Sequence, residues 1–449
     1  MNTKKYISEL SEFLAIPTIS AQKKHVLDMK KGCVWLETKL KSLGFEVDIL
    51  PTKGHMVVYA ENLKAGSEKP TILVYGHYDV QSPDPISEWT SDPFKPEIRN
   101  GNIYGRGTSD DKGQLYTWIA GLDELTKDGN AKTRKPFPIN IKFLIEGEEE
   151  IGSKNLNDFI HENQSLLTAD IAVISDTHCL SETVPLICYG LRGLCYMQIN
   201  VKCLGKDAHS GLYGGNVYNP ANVLAQIITK LKDENHKIRI PGFYDNVRVL
   251  TKDERDKLSL FPFKEREVCL ETGAEIVVGE KEYSVIERAG ARPTLDVNGI
   301  WGGYQEEGPK TIIPAEANAK ISMRLVPNQS SEEIVKKFTN YVRKITPKGV
   351  DIEIEELSGG EPILMDTGNK YFKAAEMAYK KVFGRLPLYE LSGGSIPVTA
   401  IFKRLLNIDS VLMGYGLPDD GLHSPNEKLS LNMFERGIRT NLEFLKNLK

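Results

Sequence analysis

Along the first third of the chain, short apolar runs alternate with stretches of helical periodicity. The segments PTILVYGHYDV (70–80), INIKFLIEGEEE (139–150) and ADIAVISD (169–176) carry apolar residues without alternation and then stop at polar groups. Each predicts a strand buried on both faces, and 408–413, followed by Gly414 and Gly416, predicts a fourth. Tyr6, Ile7, Leu10, Phe13 and Leu14 fall at helical spacing, as do the apolar residues of 28–43, which stop at Gly44; 114–125 reads as a further helix. Buried strands separated by helices predict an α/β fold with a mostly parallel sheet.

The middle of the chain follows a different period. Cys195, Met197, Ile199, Val201 and Cys203 alternate with Tyr196, Gln198, Asn200 and Lys202, the pattern of a strand with one buried face. The sets Ala319, Ile321, Met323, Leu325 and Val350, Ile352, Ile354 repeat it, and a short strand is expected near 295–300. Helices at 220–233 and 331–345 separate these strands, and Ser330 with Glu333 predicts a capping box for the second. The order β-α-β-β-α-β predicts a ferredoxin-like α+β domain at 190–358, inserted into an α/β domain made of 1–189 and 359–449. The stretch 240–293 reads as an irregular elaboration of the insert.

Composition narrows the function classes without naming one. The 449 residues hold 57 basic and 61 acidic side chains, a formal net charge of −4, so no electrostatic case exists for nucleic acid or an anionic membrane as partner. Apolar residues at 40% and charged residues at 26% are those of an ordinary globular protein, and the length calls for more than one domain. No run is long and apolar enough to span a bilayer, and the N-terminal segment lacks the apolar stretch of an export signal. A cytoplasmic protein with reduced cysteines is the expectation.

Candidate chemistry gathers where the apolar runs end. His77 and Asp79 lie two apart at the end of the first run; Glu149 and Glu150 end the second and Asp176 the third, and His423 stands in the later loop GLHSPNE. In open α/β sheets the ligand crevice lies at these strand ends. GRGTSDDKG (105–113) adds Asp110 and Asp111 just before a helix. Taken singly, these features have ordinary readings: a packed histidine, a solvated run over Glu148–Glu150, a helix cap. Together, carboxylates and imidazoles in one crevice repel or stay protonated unless a cation compensates them. Mixed oxygen and imidazole donors suit zinc, manganese or cobalt more than calcium, and their number suits two ions about 3.5–4 Å apart sharing a carboxylate.

The motifs GHYDVQ (76–81), YGRGTSDDKG (104–113), E-G-x-E-E-x-G-S (146–153) and ISD (174–176) carry a resemblance that covers nearly the whole chain. KDAHSGLYGG (206–215), TIIP (311–314), RLVPN (324–328), GGSIPV (393–398) and DDGLHSPNEK (419–428) extend it. The chain resembles the dinuclear-metal exopeptidases and deacylases, a family that includes glutamate carboxypeptidase, succinyl-diaminopimelate desuccinylase and acetylornithine deacetylase, and within it the cytosolic non-specific dipeptidase and carnosinase branch.

The resemblance implies a three-layer, zinc-exopeptidase-like catalytic domain and an inserted lid and dimerisation domain. It implies that His77 and Asp176 hold one metal, Glu150 and His423 the other, and that Asp110 bridges them and is joined to Asp111 by a cis peptide. It makes Asp79 the partner of the other nitrogen of His77 and Glu149 the general base, with Glu148 a bystander. It makes Arg324 a clamp for a terminal carboxylate, a role a guanidinium fork suits. His209 then stabilises the oxyanion from the partner subunit of a homodimer, with Thr311 also reaching across, and Ser395 contacts substrate backbone. A serine nucleophile at Ser395 lacks the surrounding G-x-S-x-G elbow. The implied reaction is hydrolysis of a dipeptide or short peptide with a free carboxylate. An N-acyl-amino-acid deacylase breaks the same amide with the same groups and remains open, as does a non-catalytic metal-binding scaffold.

Overall fold

The computed structural model describes residues 1–127, 134–394 and 396–448. Its chain divides into two compact units: Met1–Tyr189 with Met365–Tyr389 and Ile401–Lys449, and Gly190–Leu364 with Glu390–Ala400. The second unit thus runs beyond the expected boundary at 358 and takes in a later segment.

In the first unit a central sheet runs in the order Glu46–Leu50, Val57–Asn62, Asn140–Glu146, Thr71–His77, Ile171–Ile174, Ser410–Leu412 and Leu186–Leu191. Its middle is parallel: Thr71–His77 pairs in parallel with Asn140–Glu146 on one side and Ile171–Ile174 on the other, and Ser410–Leu412 continues the set. These are the unalternating apolar runs, and every residue of Asn140–Glu146 and Ile171–Ile174 is buried. The outer pairings are antiparallel. Helix Lys112–Thr126 packs on Thr71–His77, and Val26–Ser42 packs on the two outer strands. Helix Lys112–Thr126 can begin where it does because Gly113 has no side chain: a Cβ there would lie 1.8 Å from the Thr108 carbonyl oxygen.

The second unit holds a four-stranded antiparallel sheet in the order Thr294–Gly302, Glu316–Leu325, Gly193–Lys202, Asp351–Gly360. With helices Pro220–Leu231 and Ser331–Ile345 this is the ferredoxin-like order that the alternation predicts. Cys195, Met197, Ile199 and Val201 face Ala319, Ile321 and Met323 in one core, with Ile227, Leu231, Phe338 and Val342 from the helices.

Two further expectations change. Ser330 makes no side-chain cap; instead the Glu361 carboxylate accepts the Ser331 N–H at 3.0 Å, so the cap comes from a distant part of the chain. The stretch 240–293 is not irregular: it contains helices Lys252–Ser259, Glu265–Thr272 and Val285–Gly290. Thr251 with Glu254 and Ser284 with Glu287 are capping boxes, a signal present in the sequence and passed over.

Candidate metal centre

The parallel strands deliver their terminal side chains to one place in the first unit. His77 is the last residue of its strand and is fully buried. Its Nδ1 lies 3.1 Å from the backbone carbonyl of Asp79, which fixes the proton there and turns the Nε2 lone pair toward carboxylates. Nε2 lies 3.1 Å from Asp110 Oδ1 and 3.8 Å from Asp176 Oδ2. On the other side, His423 Nε2 lies 2.9 Å from Asp110 Oδ2 and 3.1 Å from Glu150 Oε2. Two triads result, His77–Asp110–Asp176 and Asp110–Glu150–His423, and Asp110 belongs to both with a different oxygen.

The supports are as specific as the triads. The Asp79 carboxylate, 3.4 Å from His77 Nδ1, accepts the backbone N–H groups of Glu149 and Glu150 at 3.3 and 3.1 Å. Gln81 donates its side-chain N–H to Glu150 Oε2 at 3.0 Å and its backbone N–H to Oε1 at 3.2 Å. The Asp110–Asp111 peptide is cis. Glu148, read as a bystander or part of a solvated run, is buried: it accepts the His55 N–H and two bonds from Asn155.

The electrostatics call for a cation. Burial, and then the charges of Asp110 and Asp111, push the Asp176 carboxyl well above its ordinary range, and burial raises Glu149 as well. For His423, hydrogen bonds to Asp110 and Glu150 raise the imidazole to about 10. His77 is raised too: burial opposes its charge, but Asp110 and Asp79 outweigh it. The nearby Lys112 is held apart from the triads: its ammonium donates to the carbonyls of Phe13 and Ile16 at 3.1 and 2.7 Å. Among the described residues, one buried Asp111 oxygen has no hydrogen-bond partner. A set of carboxylates and imidazoles with this excess of negative charge fits divalent cations, and each triad offers one nitrogen and two oxygen donors.

In the second unit, His209 and Thr311 are neighbours on a two-stranded ribbon, where His209 pairs with Ile312 and the Ser210 N–H donates to the Thr311 carbonyl at 3.1 Å. His209 is exposed, and its Nδ1 accepts the Gly211 N–H at 3.0 Å, leaving the proton on Nε2. Arg324 lies on the sheet face opposite buried Ile321 and Met323, and among the described residues no carboxylate pairs with it. Ser395 lies outside the described residues. The sequence reading missed Arg106 and Glu427, a buried ion pair beneath the Asp110 loop; both sit in the quoted motifs, but no local signal links them.

The model of the peptidase family M20/M25/M40 matches residues 73–447. The chain is 32% identical over 450 residues to a Cys-Gly metallodipeptidase of Schizosaccharomyces pombe, covering 97% of this chain and 93% of that one. It is 30% identical over 442 residues to a Beta-Ala-His dipeptidase of Mus musculus, covering 95% and 89%. Among solved structures, an M20 family metallo-carboxypeptidase from Sulfolobus solfataricus superposes with a TM-score of 0.84 at 34% identity, covering 99% of both chains. With motifs, fold and carboxylate–imidazole cluster in agreement, the chain belongs to the M20/M25/M40 peptidase family.

Proposed function

We propose that this chain is a metal-dependent dipeptidase that hydrolyses the peptide bond of dipeptides or short peptides with a free C-terminal carboxylate. The observation that carries the reading is the division of Asp110 between two histidines, Oδ1 toward His77 and Oδ2 toward His423, the arrangement of a bridging ligand. His77 and Asp176 would hold one divalent ion and Glu150 and His423 the other, zinc or manganese by donor type. When bound, such a pair supplies Lewis-acid polarisation of a carbonyl and an acidified water.

The chain's own residues supply the rest. Glu149 is the general base, receiving a proton and returning it to the leaving amine; Asp79 holds it in place through its backbone N–H. Arg324 clamps the terminal carboxylate. His209, with its proton on Nε2, donates to the developing oxyanion, and Thr311 and Ser395 contact substrate. These two triads would work with a second copy of the chain, His209 and Thr311 crossing between subunits. The edge strand Thr294–Gly302 supports such pairing through the inserted unit, since Ile300 and Trp301 are exposed at 62% and 37%. The names of the relatives, dipeptidases acting on Cys-Gly and Beta-Ala-His, support a dipeptide substrate.

The test is to remove metal with a chelator, restore zinc or manganese, and compare a dipeptide panel with N-acetyl amino acids. Dipeptides should be cleaved faster; faster cleavage of the acetyl compounds would make the protein a deacylase. Arg324→Ala should slow free-carboxylate dipeptides far more than amidated ones.

A further inference from the structure

We infer that the Arg106–Glu427 ion pair is a positioning device for the metal ligands, joining the loop that carries Asp110 to the loop that carries His423. This rests on the ligand assignment proposed above.

Glu427 is fully buried, and its carboxylate is saturated by neighbours from a single short segment. Oε2 accepts Arg106 Nη1 at 2.7 Å and the Gly107 N–H at 2.9 Å; Oε1 accepts the Ser109 N–H at 2.9 Å and the Asp110 N–H at 3.1 Å. The Gly105 N–H closes the contact by donating to the Glu427 carbonyl at 3.0 Å. Glu427 therefore organises the backbone from 105 to 110, the carboxylate holding 107 to 110 and its carbonyl holding 105. That path requires glycine at 107, where φ is +87° and a Cβ would lie 2.7 Å from Val80.

Arg106 extends the device. Only 1% of it is exposed, and its second terminal nitrogen donates to the carbonyls of Ser424 and Ser82 at 3.3 and 3.4 Å. Ser424 follows His423, and Ser82 follows Gln81, whose amide holds Glu150. The pair thus touches the two segments that carry Asp110 and His423, and a third, at Ser82, whose neighbour Gln81 bonds Glu150. A buried ion pair contributes little net stability beside apolar packing of the same volume, because desolvation offsets the attraction. What it does supply is a fixed geometry for each N–H it receives, and placing ligands within a fraction of an ångström determines metal affinity.

The experiment uses the full chain with Glu427→Gln and Arg106→Lys. Bound zinc is measured by mass spectrometry against buffered free zinc, cobalt-loaded protein by its visible absorption, and the metal-free fold by thermal melting. The first substitution keeps the side-chain volume but must point an NH2 at donors on one side. Glu427→Gln should raise the free zinc needed for half-saturation by about tenfold or more and alter the cobalt spectrum. Arg106→Lys, which keeps the charge but loses the fork, should shift both in the same direction by less. A folded Glu427→Gln with wild-type zinc affinity and cobalt spectrum would overturn the inference. Should Glu427→Gln not fold, an Arg106→Lys protein indistinguishable from wild type in both readouts overturns it equally. Asp110→Asn separates the two ideas: if that variant binds zinc as the wild type does, the ligand assignment itself has failed.

Discussion

Asp79 receives the backbone N–H of Glu150 at 3.1 Å, so a residue two places past the end of one parallel strand holds the turn that follows its neighbour. The same carboxylate takes the Glu149 N–H at 3.3 Å. An aspartate at this place therefore serves three groups, the two glutamates and, through its carbonyl, the Nδ1 proton of His77. Asp79→Asn keeps the carbonyl contact but replaces one accepting oxygen by an NH2. We expect kcat to fall about 10–100-fold with the fold intact. Steady-state kinetics beside a thermal melt checks this, and an unchanged kcat would remove Asp79 from the machinery.

Glu149 is partly exposed at the head of a short turn, while Glu150 beside it points into a triad. Glu149→Ala should retain both metal equivalents and the wild-type melting temperature, yet lose about 10²–10⁴-fold in turnover. Metal analysis paired with kcat decides it: loss of metal would mean that Glu149 is a ligand, and full activity would mean that it is neither.

The two histidines differ in what surrounds them. His77 is fully buried, whereas the His423 side chain is 55% exposed. His423→Ala should cost affinity for one ion and little stability. His77→Ala removes a packed ring and strips Asp110 and Asp176 of a partner, and should lower stability by about 1–3 kcal/mol in metal-free protein. Equal melting temperatures for the two metal-free variants would contradict the prediction.

Far from the centre, Asp123 is an acid-sensitive anchor for the first helix, Thr3–Leu14. Burial acts to raise its carboxyl, but hydrogen bonds from Lys5, Tyr6 and Arg134 outweigh that and hold it below the ordinary carboxylate range. A carboxyl depressed in the folded state stabilises the fold above its unfolded pKa of about 3.9. That contribution disappears as pH falls toward the folded value. Wild type should therefore exceed Asp123→Asn in melting temperature at pH 6, and the gap should close below about pH 4. Parallel profiles would exclude the mechanism.

Much of this protein was readable in order along the chain. Unalternating apolar runs marked the parallel strands, and period-two alternation marked the sheet of the second unit, because side-chain direction repeats over a few residues and burial selects for it. Carboxylates and His77 at the ends of those runs pointed to one crevice, since parallel strands end on the same edge. The helices within 240–293 were equally local, and their capping boxes could have revealed them.

The sequence by itself thus determined which residues are strand, which face is core and which polar groups end at the crevice. Only the tertiary structure decided how those groups are held. Glu427 lies 317 residues from the Asp110 N–H that it accepts, and Glu148 lies 93 from that of His55. Glu361 caps a helix starting 30 residues earlier. Periodicity records what one residue owes its near neighbours. A buried donor must find an acceptor, but the chain's path through space determines which one.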